Sequence, residues 1–196
     1  MRVLVLAPHT DDGELGCGGT IAKLVARGEQ VRYLAFSIGG ARPEEVDKAT
    51  ELLGILPGGL TVLDFPVRDF PSCRQAILDE LVKWQSGWRP DLVFLPSTFD
   101  THQDHQTVSE EGFRAFKKTS ILGYELPWNN LTFLTSAFTL LDPAHVDKKI
   151  ESVQSYLSQA DRPYVNPTAI RSLARVRGVQ INAEYAEAFE VKRWVM

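Results

Sequence analysis

The sequence predicts an α/β fold in which helices cover both faces of a mostly parallel sheet. Four of its strand-like runs are apolar throughout, which is typical of parallel strands buried on both faces. Segments with helical periodicity alternate with these runs, as in a three-layer α/β arrangement. The strand-like runs lie at residues 2–7, 30–38, 60–65, 90–97 and 120–127.

The first two strand–helix units have clear boundaries. Residues 2–7 are followed by a predicted helix over 18–28, where apolar residues recur at helical spacing and Gly28 is a typical stop. The strand over 30–38 leads to a helix over 42–54, with a proline near its first turn and a glycine after its end.

The alternation continues and then becomes less regular. Helices are predicted over 73–84 and 104–118, between the later strands. The last third contains the apolar segment 133–141 and two further helices near 143–158 and 167–176. No linker or repeat interrupts the chain, so we expect a single domain over 1–196.

Composition excludes several classes of function. The net charge of −4 implies no broad basic surface for nucleic acid. No window approaches the roughly 20 apolar residues of a membrane span. The apolar run before Pro8 is too short for a signal peptide, and two cysteines form no disulfide framework. We therefore expect a cytoplasmic enzyme that acts on a small molecule.

Two polar clusters follow apolar strands. The segment APHTDD occupies residues 7–12, and TFDTHQDHQ occupies 98–106, and together they hold three of the four histidines. In a parallel sheet, the carboxyl ends of the strands share one edge, and ligands bind there. We therefore expect the two clusters to converge into one site.

Both clusters carry side chains that bind divalent metals. Imidazole and carboxylate are standard zinc ligands, and three of them plus water form a catalytic site. A cation would also compensate the adjacent carboxylates of Asp11 and Asp12. The other candidates in the clusters are His9, His102, Asp104 and His105. The same donors suit iron, manganese or cobalt, so the pattern predicts a divalent metal without fixing which one.

These clusters carry a family resemblance. APHTDDGELGCGGT resembles the A-H-P-D-D-x-E-x-G-x-G-G signature of the PIG-L (LmbE-like) deacetylases, and HQDH resembles their H-x-D-H motif. The resemblance implies a Rossmann-like three-layer α/β/α sandwich. It also implies a zinc-dependent hydrolase that removes an acetyl group from an N-acetylated amino sugar or its conjugate.

Four roles follow from that resemblance. His9, Asp12 and His105 match the metal ligands, and Asp11 matches the general base. The chemistry agrees, because amide hydrolysis needs a carboxylate that is not itself a ligand to take the proton of water. Adjacent residues in a turn can diverge, so that one aspartate binds metal while its neighbour faces the water.

The remaining assignments are also carried by the resemblance. His102 matches a histidine that stabilises the oxyanion or donates a proton, and we expect Asp104 to hold that imidazole protonated and oriented. Arg42 matches an arginine near the substrate. Thr10 replaces the family's usual proline, and Asp100 stands where some relatives have a tyrosine.

Two other functions remain open at this stage. A non-haem iron oxygenase would use His9, Asp11 and His105, although we expect such enzymes to be all-β. A non-catalytic nucleotide-binding module would use the glycines at 16–19, although they lack full G-x-G-x-x-G spacing. We interpret those glycines as packing residues. The resemblance is compatible with a nucleotide sugar, a lipid-linked sugar, a thiol-sugar conjugate or a chitin fragment as substrate, and assembly into a homo-oligomer is compatible with the sequence.

Overall fold

A seven-stranded sheet organises the protein, and the computed structural model describes all residues 1–196. The strands are β1 (Arg2–His9), β2 (Gln30–Ser37), β3 (Leu60–Val62), β4 (Leu92–Pro96), β5 (Ser120–Tyr124), β6 (Ala137–Leu141) and β7 (Tyr185–Arg193). The helices are α1 (Asp12–Ala26), α2 (Pro43–Leu52), α3 (Arg74–Gly87), α4 (Gln103–Ala115), α5 (Pro143–Gln154) and α6 (Pro167–Val179).

The sheet is mostly parallel, as predicted. Its strand order is β3-β2-β1-β4-β5-β7-β6. Strands β1 to β5 pair in parallel, whereas β7 is antiparallel to both β5 and β6. The predicted three-layer α/β/α sandwich is confirmed, and only the less regular last third contributes antiparallel pairs.

The sheet separates two hydrophobic cores. Alternate residues of β1 supply them, because successive side chains of a strand point to opposite faces. Val3 and Val5 pack with α1, α5 and α6, whereas Leu4 and Leu6 pack with α3 and α4. This explains why β1 is apolar at every position from Val3 to Ala7 instead of at every second one.

Helix α1 begins earlier than predicted. It starts at Asp12 rather than at residue 18, and a backbone irregularity at Cys17 (φ −144°) divides it. Its first turns are buried on all sides, and they carry glycine and acidic residues in place of an apolar stripe. Hydrophobic periodicity therefore could not reveal this part of the helix.

The interpretation of the glycines as packing residues is confirmed. A Cβ atom at Gly16 would lie 2.3 Å from the Tyr124 ring, and one at Gly19 would lie 2.6 Å from Leu141. Both distances are too short for a real contact, so α1 approaches the sheet this closely only because it lacks these side chains.

The remaining expectations concern cysteines and membrane spans. Cys17 and Cys73 are both free thiols. Among the helices of this fold, none has the length and apolar character that crossing a membrane requires.

Candidate metal centre and active-site cavity

The two polar clusters converge where the strand order reverses direction. Strands β1 and β4 are neighbours, while β2 and β5 lie on their outer sides. His9 is the last residue of β1, His102 caps the amino end of α4, and His105 lies in the first turn of that helix. Ligands of open α/β sheets bind at this kind of position.

Three side-chain atoms form a nearly equilateral triangle. His9 Nδ1 lies 3.3 Å from Asp12 Oδ2, His105 Nε2 lies 3.2 Å from the same oxygen, and the two nitrogens are 3.3 Å apart. Donors around a tetrahedral zinc are roughly 3.3–3.5 Å from one another. The predicted ligands therefore fit a metal in both chemistry and spacing.

Each histidine of the triangle has its other ring nitrogen on a buried carboxylate. His9 Nε2 is 3.0 Å from Asp104 Oδ2, and His105 Nδ1 is 2.8 Å from Asp100 Oδ2. Both aspartates are at most 1% exposed. Such pairs fix the ring orientation and raise the basicity of the nitrogen that faces the metal.

The protonation of the ligands reflects these contacts. Burial lowers the pKa of both histidines, but hydrogen bonds and charges of the aspartates outweigh it, raising the pKa of His9 to about 9 and that of His105 to about 10. Burial opposes ionisation of Asp12, yet its two histidine partners hold its pKa well below the usual range. Binding of a metal to these imidazoles would therefore displace protons.

Asp11 stands beside the triangle without joining it. It precedes α1 as the N-cap, but its carboxylate makes no capping hydrogen bond and instead lines the cavity. Burial, and then the charge of Asp12, raise the pKa of Asp11 to about 6. A free carboxylate whose pKa lies near neutrality has the properties of a general base.

The expected pairing of Asp104 with His102 is wrong. The Asp104 carboxylate contacts His9 and also accepts backbone N–H groups from Arg68 (2.6 Å) and Phe70 (3.3 Å). Only the backbone N–H of Asp104 reaches His102, at Nδ1. Asp104 lies in the first turn of α4, and its carboxylate is directed toward His9 at the end of β1.

His102 is held differently from the other two imidazoles. Its Nδ1 accepts the Asp104 N–H at 3.2 Å, which places the proton of the neutral ring on Nε2. Burial, followed by the nearby His105 and His9, lowers its pKa. The structure thus favours a neutral donor over the expected imidazolium. One ring nitrogen from each of His9, His102 and His105 lies within 4.8 Å of the other two, so His102 also lies within reach of a bound metal.

A cavity of about 280 Å³ opens over the triangle. Besides the clusters, its wall includes Arg68 and Arg162. Arg68 has a left-handed φ of 67°, and its N–H is fixed by Asp104. The predicted substrate residue Arg42 is absent from this wall; it is the exposed N-cap of α2, and only its neighbour Ala41 lines the cavity.

Aromatic residues complete the wall. Trp128 stacks on Tyr164 with ring centroids 4.1 Å apart and planes inclined by 16°. Trp128 keeps 41% of its surface exposed, so it contributes little to the core. Tyr124, by contrast, is fully buried and donates to the carbonyl of Leu6. Of these aromatic residues, the Trp128–Tyr164 pair is therefore the one placed to contact a ligand.

A buried polar cluster supports the loop beneath the site. The hydroxyls of Tyr33 and Tyr156 each contact both Glu14 and the carbonyl of Thr10. The two phenol protons can serve only two of these four oxygen–oxygen contacts, and a proton on Glu14 would serve a third. Burial raises the pKa of Glu14 to about 8, in agreement with this count. The cluster fixes the backbone just before Asp11.

Several of these residues were not identified from the sequence. Asp100 was noted only as a departure from some relatives, although its position five residues before His105 was a usable signal. Glu14 and Tyr156 are 142 residues apart, and no local pattern connects them.

Comparison with known proteins agrees with this geometry. The family model described as GlcNAc-PI de-N-acetylase (PIG-L) matches residues 4–116. A diacetylchitobiose deacetylase of Thermococcus kodakarensis is 28% identical over 180 residues, which cover 84% of this chain and 63% of that enzyme. The chain therefore spans less than two thirds of that relative's length.

Solved structures share the complete fold. The conserved protein TT1542 of Thermus thermophilus is 30% identical, with a TM-score of 0.80 over 99% of this chain and 95% of that chain. GalB of Pseudomonas putida, a 4-carboxy-2-hydroxymuconate hydratase, is 21% identical with a TM-score of 0.81 and covers 100% of this chain and 97% of its own. Likeness to GalB shows the fold alone, and this fold hosts more than one reaction.

Proposed function

We propose that this chain, which belongs to the PIG-L family, is a metal-dependent hydrolase. Its reaction would remove the acetyl group from an N-acetylated amino sugar or sugar conjugate. The observation that carries the proposal is the triangle of His9, Asp12 and His105 with the free carboxylate of Asp11 beside it. Metal-assisted amide hydrolysis needs this division between the ligands that hold the metal and a separate base that takes the proton of water.

Zinc is the metal that we propose. Two imidazoles and one carboxylate with edges of 3.2–3.3 Å suit a small tetrahedral ion with one open position. A metal held there would supply Lewis acidity toward the acetamide carbonyl and toward water. The oxygenase alternative is less consistent with the structure, because Asp12 and not Asp11 joins the two histidines, and the fold is not all-β.

The chain's own residues would carry the proton transfers. Asp11 takes a proton from a water molecule as the oxygen of that water attacks the acetamide carbon. His102, with its Nε2–H available, donates to the oxyanion of the tetrahedral intermediate. The C–N bond then breaks, the nitrogen receives the proton that left the water, and acetate and the free amine are released.

Neighbouring residues would hold the site in shape. Asp104 and Asp100 orient His9 and His105, and their burial keeps water from competing for the imidazoles. The stacked Trp128 and Tyr164 offer a flat apolar wall for a sugar ring. A cytoplasmic location, a single domain over 1–196 and a homo-oligomeric state stay predictions from the sequence.

The test is acetate release from a panel of N-acetylated sugars, nucleotide sugars and glycosides. We expect stoichiometric acetate and free amine, activity lost after treatment with a chelator, and recovery on adding zinc. A preparation that is fully loaded with metal and releases acetate from none of these compounds would contradict the proposal. Addition of water to an unsaturated carboxylate, the GalB reaction, would then be the alternative to measure.

A further inference from the structure

A second cavity, larger than the one above the metal ligands, lies beside it. It has a volume of about 710 Å³, and 10 of its 18 lining residues are hydrophobic. Helix α6 forms one wall, and β7 with the start of α1 forms the other. The proposed hydrolysis uses none of the residues that line only this cavity. An apolar space of this size has the properties of a ligand site.

Its charged lining residues are already paired with one another. Lys149 Nζ lies 2.7 Å from Glu187 Oε1, and both side chains are about 6% exposed. Arg177 Nε donates to Glu125 Oε2 at 2.9 Å. Since each cation has its own anion, the cavity offers no free charge to an ionic ligand. Its occupant should therefore be neutral and apolar.

The two cavities adjoin through shared residues. Trp128 and Tyr164 line both of them, and the stacked pair stands between the two spaces. A molecule with its acetamide at the metal ligands can extend past this pair into the apolar cavity. The occupant is thus expected to be part of the substrate and not a separate ligand.

We propose that the apolar cavity binds a hydrophobic aglycone, an alkyl or aryl group attached through the anomeric carbon of the N-acetylated sugar. This inference rests on the proposed deacetylation and specifies its substrate class as an apolar conjugate rather than a free sugar. The acetamido sugar occupies the smaller cavity, and the aglycone lies between α6 and β7.

Kinetics with matched substrates test the proposal. Methyl and octyl β-glycosides of N-acetylglucosamine differ only in the alkyl aglycone. Burial of even a few methylene groups raises affinity roughly tenfold or more. We expect kcat/KM for the octyl glycoside to exceed that of the methyl glycoside by at least this factor. The difference should lie mainly in KM, because the alkyl chain does not change during the reaction.

Variants at the wall assign the preference to this cavity. Ala169 is an exposed residue of α6 that lines the cavity, so Ala169→Trp fills space without disturbing the core. Val176→Glu, at a position 56% exposed, adds a charge to the same wall. Both should abolish the octyl preference and leave the methyl glycoside unchanged. Thr168→Trp, on the same helix but outside this cavity, is the matched control.

A binding measurement separates this inference from the proposed function. Octyl β-glucoside has no acetamide, and below its micelle concentration it should bind and change tryptophan fluorescence, with binding lost in Ala169→Trp. Such binding without deacetylation of any compound would contradict only the proposed function. Equal kcat/KM for the two glycosides, together with no binding of octyl glucoside, would overturn the aglycone site. Preference for an N-octanoyl over an N-acetyl group, without any effect of the aglycone, would overturn it as well.

Discussion

Replacing Asp100 with asparagine tests whether a buried carboxylate tunes the metal site. Asp100 Oδ2 lies 2.8 Å from His105 Nδ1, and its Oδ1 accepts the His102 backbone N–H at 2.8 Å. Asparagine has nearly the same shape and can still accept one of these bonds. It cannot supply the negative charge that makes the opposite nitrogen of His105 a stronger ligand.

The magnitude follows from the role of such partners. Loss of a carboxylate behind a metal-binding histidine weakens metal affinity by about 10–100-fold, which corresponds to about 1.4–2.7 kcal/mol. We expect a value in this range for Asp100→Asn. Asp104→Asn should give a similar loss in affinity, but with lower stability, because Asp104 also accepts two backbone N–H groups.

The assay is competition for zinc against a chromophoric chelator at fixed pH. Asp79→Asn on α3 is the control, since Asp79 is exposed and contacts only Gln75. Wild-type affinity in Asp100→Asn, with the fold intact, would refute the argument that the buried carboxylate strengthens His105 as a ligand.

Three further predictions concern protons, catalysis and stability. The pKa values are about 9 for His9 and about 10 for His105, so zinc binding at pH 7 should release about two protons and should strengthen as the pH rises. Calorimetry in buffers of different protonation enthalpy measures this release, and no release would contradict the ligand set. His102→Ala should retain metal and lower kcat about 10²–10³-fold, and unchanged kcat would exclude it as the oxyanion donor. Tyr156→Phe should lower the free energy of unfolding by about 1–3 kcal/mol, because Thr10 and Glu14 lose a shared buried donor. Urea unfolding measures this loss beside the control Tyr164→Phe, and equal losses in the two variants would contradict the prediction.

Much of the fold was predictable because strands that are buried on both faces are continuous apolar runs in the sequence. Strand β1 is apolar at every position from Val3 to Ala7, and the helices that cover the sheet show helical periodicity outside the site. The start of α1 was missed for a physical reason. Close packing against Tyr33 and Tyr124 demands glycine there, and glycine carries no periodic signal.

The site was predictable at the level of its clusters and not of its pairings. Parallel strands place their carboxyl ends together, so His9 and His105 had to meet. Which carboxylate faces which imidazole depends on how α4 is rotated against β1, and neighbouring residues in sequence do not encode that. Asp104 was therefore assigned to His102, two positions away, and instead contacts His9, 95 positions away. Arg42 does not line the cavity, because its helix begins outside it, and a contact between Arg42 and the substrate stays a prediction.

The proposed mechanism gives the two adjacent aspartates different roles, with Asp12 as a ligand and Asp11 as the base. The direct measurement is zinc content and acetate release of Asp11→Asn and Asp12→Asn, side by side with Asp79→Asn. We predict that Asp12→Asn loses zinc, whereas Asp11→Asn keeps about one zinc per chain and loses about 10²–10⁴-fold in kcat. Equal loss of zinc in both variants, or full activity in zinc-loaded Asp11→Asn, would contradict the account.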